Sequence, residues 1–356
     1  MESSLFDMGN LAAGIGTKVA VLVAFLLVAP LVVGYMEHKV LAFMQDRWGP
    51  MEAKIGPVGQ GVGQLVADGA KFIQKEDIIP AGADKWVFSI APGVAFVPGL
   101  IILVTVPLGP GVWAETLDIG IFFALAVSSI SVIGILMAAW SSANKYSLMG
   151  GIRAAAQLIA YELPLVLAAA AVVLQAGSLS LYEIVLAQNQ PWLVGIPMWY
   201  AVPQVIGFGL FFTAALAEMS RPPFDMPIGD SEVIAGHMTE YTGLRFAFFM
   251  LSEYASMVIF SALTVVLFLG GWYLLPGIDA QVIANSFGYQ LAPWAEAIAG
   301  FGVTFAKILV LCAVMTWFRA TFPRLREDQL QRMSWLLFIP LAILQIAVIA
   351  VVEVVT

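Results

Sequence analysis

Eight apolar runs divide this chain, each close to the length that crosses a bilayer, and the loops between them sort sharply by basic charge. The runs fall near 17–36, 86–107, 119–141, 154–176, 201–218, 246–275, 297–318 and 333–355. A hydrocarbon core about 30 Å thick takes roughly 20 apolar helical residues, so each run reads as a span. Loops 37–85, 142–153, 219–245 and 319–332 hold fourteen of the sixteen Lys and Arg residues, whereas 108–118, 177–200 and 276–296 hold none. The positive-inside rule places the first set in the cytoplasm and both termini outside. The expected fold is therefore an all-α polytopic membrane protein, one membrane domain over 1–356.

Composition agrees. The chain is 61% hydrophobic and 11% charged, against about half and a quarter in soluble domains. The first run, from Val19 to Met36, is long enough to span and is not followed by a small-residue cleavage site, so it is not read as a removable signal. An isoelectric point near 4.8 gives no basic footprint, and no nucleic acid is expected as a partner. The one cysteine, Cys312, cannot hold an iron–sulfur cluster, and His38 and His237 have no partner cysteines for a metal site. No Gly-x-Gly-x-x-Gly follows a predicted strand, so no nicotinamide or flavin site is expected either. Any electrons come from another subunit.

The first cytoplasmic loop contains an amphipathic helix. In Val62–Lys75, Val62, Leu65, Val66, Gly69, Phe72 and Ile73 share one face, and Gln64, Asp68, Lys71 and Lys75 the other. That pattern suits a helix lying in the membrane interface, or equally one packed on its own bundle or a partner.

Acidic residues gather where such a chain would ordinarily be neutral. Glu218, Asp225, Asp230, Glu232 and Glu240 lie between two apolar runs, with Arg221 among them. Three prolines between Arg221 and Pro227 exclude helix there and fix the directions of Arg221 and Asp225. In the fourth span Arg153, Gln157 and Tyr161 climb one side, while Glu162 lies nine residues from Arg153, on the opposite side. Glu253 lies in the sixth span and Lys307 in the seventh. Charges at membrane depth cost at least about 3 kcal/mol each, so acids in successive spans suggest a chain of protonatable groups that includes Lys307.

The segments EHKVLAFMQDRWGP (37–50), LVADGAKFIQKEDIIPAGADK (65–85), IRAAAQLIAYELP (152–164), AEMSRPPFDMP (217–227), SEVIAGHMTEYTGLRFAFFMLSEY (231–254) and FRATFPRLREDQLQRMSW (318–335) carry a family resemblance. Together they resemble the family of membrane-embedded H subunits of respiratory complex I, the NADH:quinone oxidoreductase, over nearly the whole chain. The resemblance implies a non-redox subunit that forms the quinone access channel and starts the route from quinone chemistry to proton translocation. It implies Arg47, Ala67, Asp68, Arg153, Arg221 and Asp225 at the channel and arm interface. Glu162, Glu218, Asp230, Glu232, Glu240 and Glu253 would form the proton route, and Arg319, Arg324 and Arg326 the basic loop before the last span. The family's acidic loop is altered here, with Ile228 and Asp230 where it has glutamates.

The implied ligand is a quinone, bound as substrate, with flavin and iron–sulfur clusters held by partners. Those partners are peripheral-arm iron–sulfur and quinone-site subunits, and neighbouring small and antiporter-like membrane subunits in the lipid bilayer. The implied location is a bacterial plasma membrane with both termini periplasmic. Two other readings stay open: the equivalent subunit of a membrane-bound hydrogenase or a ferredoxin- or coenzyme-linked dehydrogenase, and a stand-alone proton-coupled transporter.

Overall fold

The computed structural model describes residues 11–54, 59, 61–191, 197–286 and 290–355, the side chains of 11–13, 230 and 231 excepted. Among these residues the chain is a helical bundle without strands. Seven helical segments are long and apolar enough to cross a membrane. They are α1 (Leu11–Met44), α3 (Lys85–Leu103), α4 (Gly120–Ser141), α5 (Lys145–Ala176), α9 (Gly243–Phe268), α11 (Pro293–Thr321) and the C-terminal segment Glu327–Val355. The last comprises α12 (Glu327–Met333), a π-helical turn and α13 (Ile339–Val355). The run expected as a span at 201–218 forms the shorter α7 (Val205–Glu218). Its 14 residues reach about 21 Å, and the turns before it complete the passage from the far end of the bundle, where Ala201 N donates to Phe268 O at 2.9 Å at the C-terminus of α9. Pro203 and the turns at 200–204 delay its start.

Two loops expected from hydropathy are in part helix. α1 continues past Met36 to Met44, and α5 begins at Lys145, not 154. Polar residues end an apolar run without ending a helix, which needs a break in backbone hydrogen bonding. α5 gets its start from Asn144, whose side chain accepts from Tyr146 N at 2.8 Å, and stops at Gly177 in the left-handed region. α9 ends where Gly270 and Gly271 take positive φ.

Small residues let the helices close. A β-carbon at Gly134 on α4 would lie 2.5 Å from Ala95 N on α3, and one at Gly150 on α5 would lie 2.6 Å from Gly236 Cα. Such approaches replace the hydrophobic driving force that helices in lipid lack. α9 packs on α1, α3 and α11, and most of its second half is buried.

The four basic loops meet at one end of the bundle. Arg245 pairs with Asp77, Asn144 donates to Glu240, Arg153 to Glu232 and Arg319 to Glu37. The loops without Lys or Arg meet at the other end, where Trp113 packs on Tyr182 and Tyr182 on Trp272. Sorting loops by charge therefore also sorts them by position in the fold.

Candidate functional site

At the basic end a guanidinium is buried among carboxylates. Helix α7 stops at Glu218, Ser220 takes φ 51° and Pro222 and Pro223 follow, so the chain turns and drives Arg221 inward. Arg221 is 2% exposed, and its Nη1 donates to Glu37 Oε2 of α1 at 2.6 Å. Its Nε lies 2.9 Å from Glu253 Oε1 of α9, a charge contact and not an aligned hydrogen bond, since Nε has no hydrogen-bond acceptor. Arg319 of α11 donates to the other oxygen of Glu37, and the Arg221 guanidinium lies 4.8 Å from the centre of the Tyr254 ring. Two carboxylates and two guanidinia thus balance. Charges this well buried persist only when paired. Arg221 Nη2 has no acceptor among the described residues.

Beside this quartet is a partly polar cavity of about 70 Å³, lined in part by Glu218, Glu253, His237, Ser220, Ser252 and Ser256. Glu218 Oε2 and His237 Nδ1 are buried and have no hydrogen-bond partner among the described residues. His237 sits in the 3₁₀ turn Gly236–Met238, its ring edge-on to Phe249 at 5.3 Å. Burial holds the imidazole neutral, with its pKa down from 6.5 to about 4.

Glu162 lies across α5 from the residues that pin the α7–α9 turn. Gln157 donates to Ala217 O and Phe224 O, both at 2.7 Å, and Tyr161 to Leu330 O at 3.0 Å. Glu162 accepts from Ser129 of α4 and interacts electrostatically with Glu218. The expected division of α5 into two polar directions holds, and both directions face protein.

Nearer the surface, Arg153 donates to Glu232 and lies 3.8 Å from Glu327. Arg324 is 4.0 Å from Glu232 and donates to Met226 O at 3.1 Å. The hydrogen bond from Arg153 and the charge of Arg324 hold the Glu232 carboxyl below the usual carboxylate range. Asp225 lies in the same turn, between the buried Phe224 and Met226. Asp230 opens the short helix Asp230–Val233, and its side chain lies outside the described residues. Glu240 sits apart, facing a hollow with Lys145. Arg326 pairs with Asp328 at 3.1 Å and also acts electrostatically on Glu232.

The amphipathic segment forms α2 (Gln64–Gln74), lying over α1 and α9. Leu65 fits against Gly34 and Phe72 against Phe246, while Val62, Val66 and Ile73 stay exposed. Ala67 and Asp68 are on this helix, and Asp68 accepts from Gln64 and pairs with Lys71. Arg47 is on the neighbouring exposed turn, bonded to Gln45.

One sequence expectation is overturned here. Lys307 does not belong with the acids: its Nζ donates to Leu269, Gly271 and Tyr273 carbonyls at 2.6, 3.0 and 2.5 Å, beyond the C-terminus of α9. It caps a helix end, where carbonyls point outward and a cation is favoured. A larger apolar hollow of about 400 Å³, between α1, α11 and residues 106–114, also lies at that far end, away from the acids. Sequence reasoning alone does not find Glu37, His237, Ser129 or Asn144 as partners in the site. Only Glu37 carried a signal, an acid within a helical turn of an apolar run.

Fold and site together define a polytopic membrane protein that keeps a balanced charge cluster and protonatable groups inside its bundle. The family described as NADH dehydrogenase matches residues 17–350. Proteins named as the H subunit of NADH-quinone oxidoreductase are similar throughout. That of Geobacillus sp. (strain WCH70) is 42% identical over 319 residues, 89% of this chain and 87% of the relative. That of Bacillus mycoides (strain KBAB4) is 42% identical over 337 residues, 94% and 92%. That of Brevibacillus brevis is 41% identical over 343 residues, 95% and 94%. The chain belongs to the family of NADH-quinone oxidoreductase H subunits, and is a membrane subunit of complex I.

Proposed function

We propose that this subunit forms the quinone access path of a proton-pumping NADH:quinone oxidoreductase and carries the first part of its proton route. The observation that carries the reading is the alignment of Glu253, Glu218 and Glu162 beside the Arg221 quartet. Quinone would enter from the bilayer near α2, whose exposed Val62, Val66 and Ile73 suit the acyl boundary. Electrons would arrive from clusters and flavin on partner subunits of the peripheral arm, docked at the basic end. That end would face the cytoplasm of a bacterial plasma membrane, with both termini periplasmic and small and antiporter-like subunits alongside. The subunit itself would hold no redox group and catalyse nothing alone.

The coupling is electrostatic. Two charges about 4 Å apart interact by roughly 4 kcal/mol at an effective dielectric of 20. A change in charge at the reduced headgroup therefore redistributes protons among neighbouring acids without a large movement of the chain. Arg221 is suited to transmit this, because it touches acids from two helices at once. The test is Glu162→Gln in the whole complex reconstituted into vesicles. Proton pumping with quinone should fall, while NADH oxidation by artificial acceptors on the partner subunits stays intact. Pumping at the wild-type rate would remove Glu162 from the route.

A further inference from the structure

The cavity beside the quartet contains one protonatable group that the acid chain leaves unused. His237 is 5% exposed, and among the described residues its Nδ1 has no hydrogen-bond partner, nor has Glu218 Oε2. Both residues line the same partly polar cavity of about 70 Å³. A water needs roughly 10–15 Å³ and two to four polar partners, so this space suits a few ordered waters. Ser220, Ser252 and Ser256 line the same cavity and offer hydroxyls as further partners.

We propose that His237 is a proton-relay residue, joined by water in this cavity to Glu218 and linking the membrane-depth acids to the loop that holds Glu232 and Glu240. The proposal rests on the reading of this subunit as part of a proton route.

Its surroundings favour transfer over storage. Phe249 of α9 holds the ring edge-on, and Ser147 of α5 donates to the His237 carbonyl, fixing the turn. The titratable groups sharing the cavity are Glu218 of α7 and Glu253 of α9. Buried, and in no ion pair among the described residues, the imidazole is held neutral at rest. A neutral imidazole accepts a proton at one nitrogen and releases the one on its other nitrogen, so it passes a proton on and ends uncharged. Here the proton leaves the Glu218 carboxyl, which becomes a carboxylate, crosses the water to Nδ1, and the proton on Nε2 passes to a carboxylate of the loop that holds Glu232 and Glu240, which becomes a carboxylic acid. No electron moves and no bond besides those to hydrogen changes.

The experiment uses the whole complex with His237→Phe, which keeps an aromatic ring against Phe249, and with His237→Gln. Quinone-dependent turnover and the coupled pH gradient should both fall about tenfold or more, within what one positioned proton-transfer group contributes. Redox-induced infrared difference spectra should lose an imidazole band and show a displaced carboxyl band, the latter identified by Glu218→Gln. Wild-type pumping and an unchanged carboxyl band in His237→Phe, with Glu218→Gln impaired, would overturn the relay and leave the acid route standing. Wild-type pumping in Glu218→Gln as well would instead overturn the route. Should Phe at position 237 prevent assembly, His237→Gln answers alone, because a glutamine side chain cannot carry a proton. Wild-type pumping with it would overturn the relay.

Discussion

Arg221 Nη1 and Glu37 Oε2 are 2.6 Å apart across 184 residues of sequence, and both side chains are 2% exposed. The pair ties the turn after α7 to the last two turns of α1. Removing one member of a buried pair leaves an uncompensated charge, at about 3–5 kcal/mol. Arg221→Gln and Glu37→Gln should each lower the melting temperature of the purified complex and loosen this subunit within it. The double substitution, which removes both charges, should recover part of the loss. Arg221→Lys should not, because one ammonium cannot reproduce a guanidinium fork between Glu37 and Glu253. A melting temperature unmoved by either single change would show that the pair holds nothing together.

His237 gives stability a pH dependence whose sign is fixed. The unfolded imidazole takes its proton below pH 6.5, and the buried one only below about 4. Between those values the unfolded state binds more protons, so stability is full above 6.5, falls through the window and levels off beneath it. The loss reaches about 3 kcal/mol at most. Denaturation of the complex at pH 7 and pH 4.5, with and without His237→Phe, reads it out. The variant should lose less stability on acidification, and equal losses would refute the assignment.

What could be read in the sequence divides along physical lines. Seven spans and the grouping of the basic loops were legible, because apolar length and Lys/Arg placement are local properties that the bilayer itself reads. Glu37 was not, because it follows an apolar run yet still lies within the helix, seven residues before α1 ends at Met44. No residue there breaks the helix, and its partners Arg221 and Arg319 are far away in sequence. Lys307 misled for a related reason. A lysine at membrane depth invites an acid as partner, but its acceptors are backbone carbonyls that every sequence contains. Glu162 was legible as an acid at membrane depth, and its partner Ser129 was not, since Ser128, Ser129 and Ser131 share one stretch of α4 and nothing local singles out one of them. Ends and charges are written locally. Pairings are not.

Arg153 and Glu232 make a contrasting prediction. Their side chains are 23% and 53% exposed, so water and salt screen the pair and its contribution should stay below about 1 kcal/mol. A double-mutant cycle with Arg153→Ala and Glu232→Gln should give a small coupling that shrinks as ionic strength rises past about 0.15 M. Because Arg153 and Arg324 hold the Glu232 carboxyl low, this small contribution exists above the ordinary carboxylate range and fades as pH falls below it. A large, salt-insensitive coupling would mean that the loops are sealed from solvent here, as by a docked partner.

Lys307 separates structural from functional charge. Its three donors satisfy three carbonyls just past the end of α9, and its ammonium lies 4.8 Å from the centre of the Trp199 ring. Lys307→Met keeps the length and apolar stem but leaves those carbonyls without their donor, which should cost about 2–4 kcal/mol. The loss should appear as a lower melting temperature and as faster amide exchange at 269–273. Proton pumping per assembled complex should not change, since Lys307 lies at the opposite end of the bundle from Glu218 and Glu253. A pumping defect in fully assembled Lys307→Met would return the lysine to the proton route and show that the two ends of α9 are coupled.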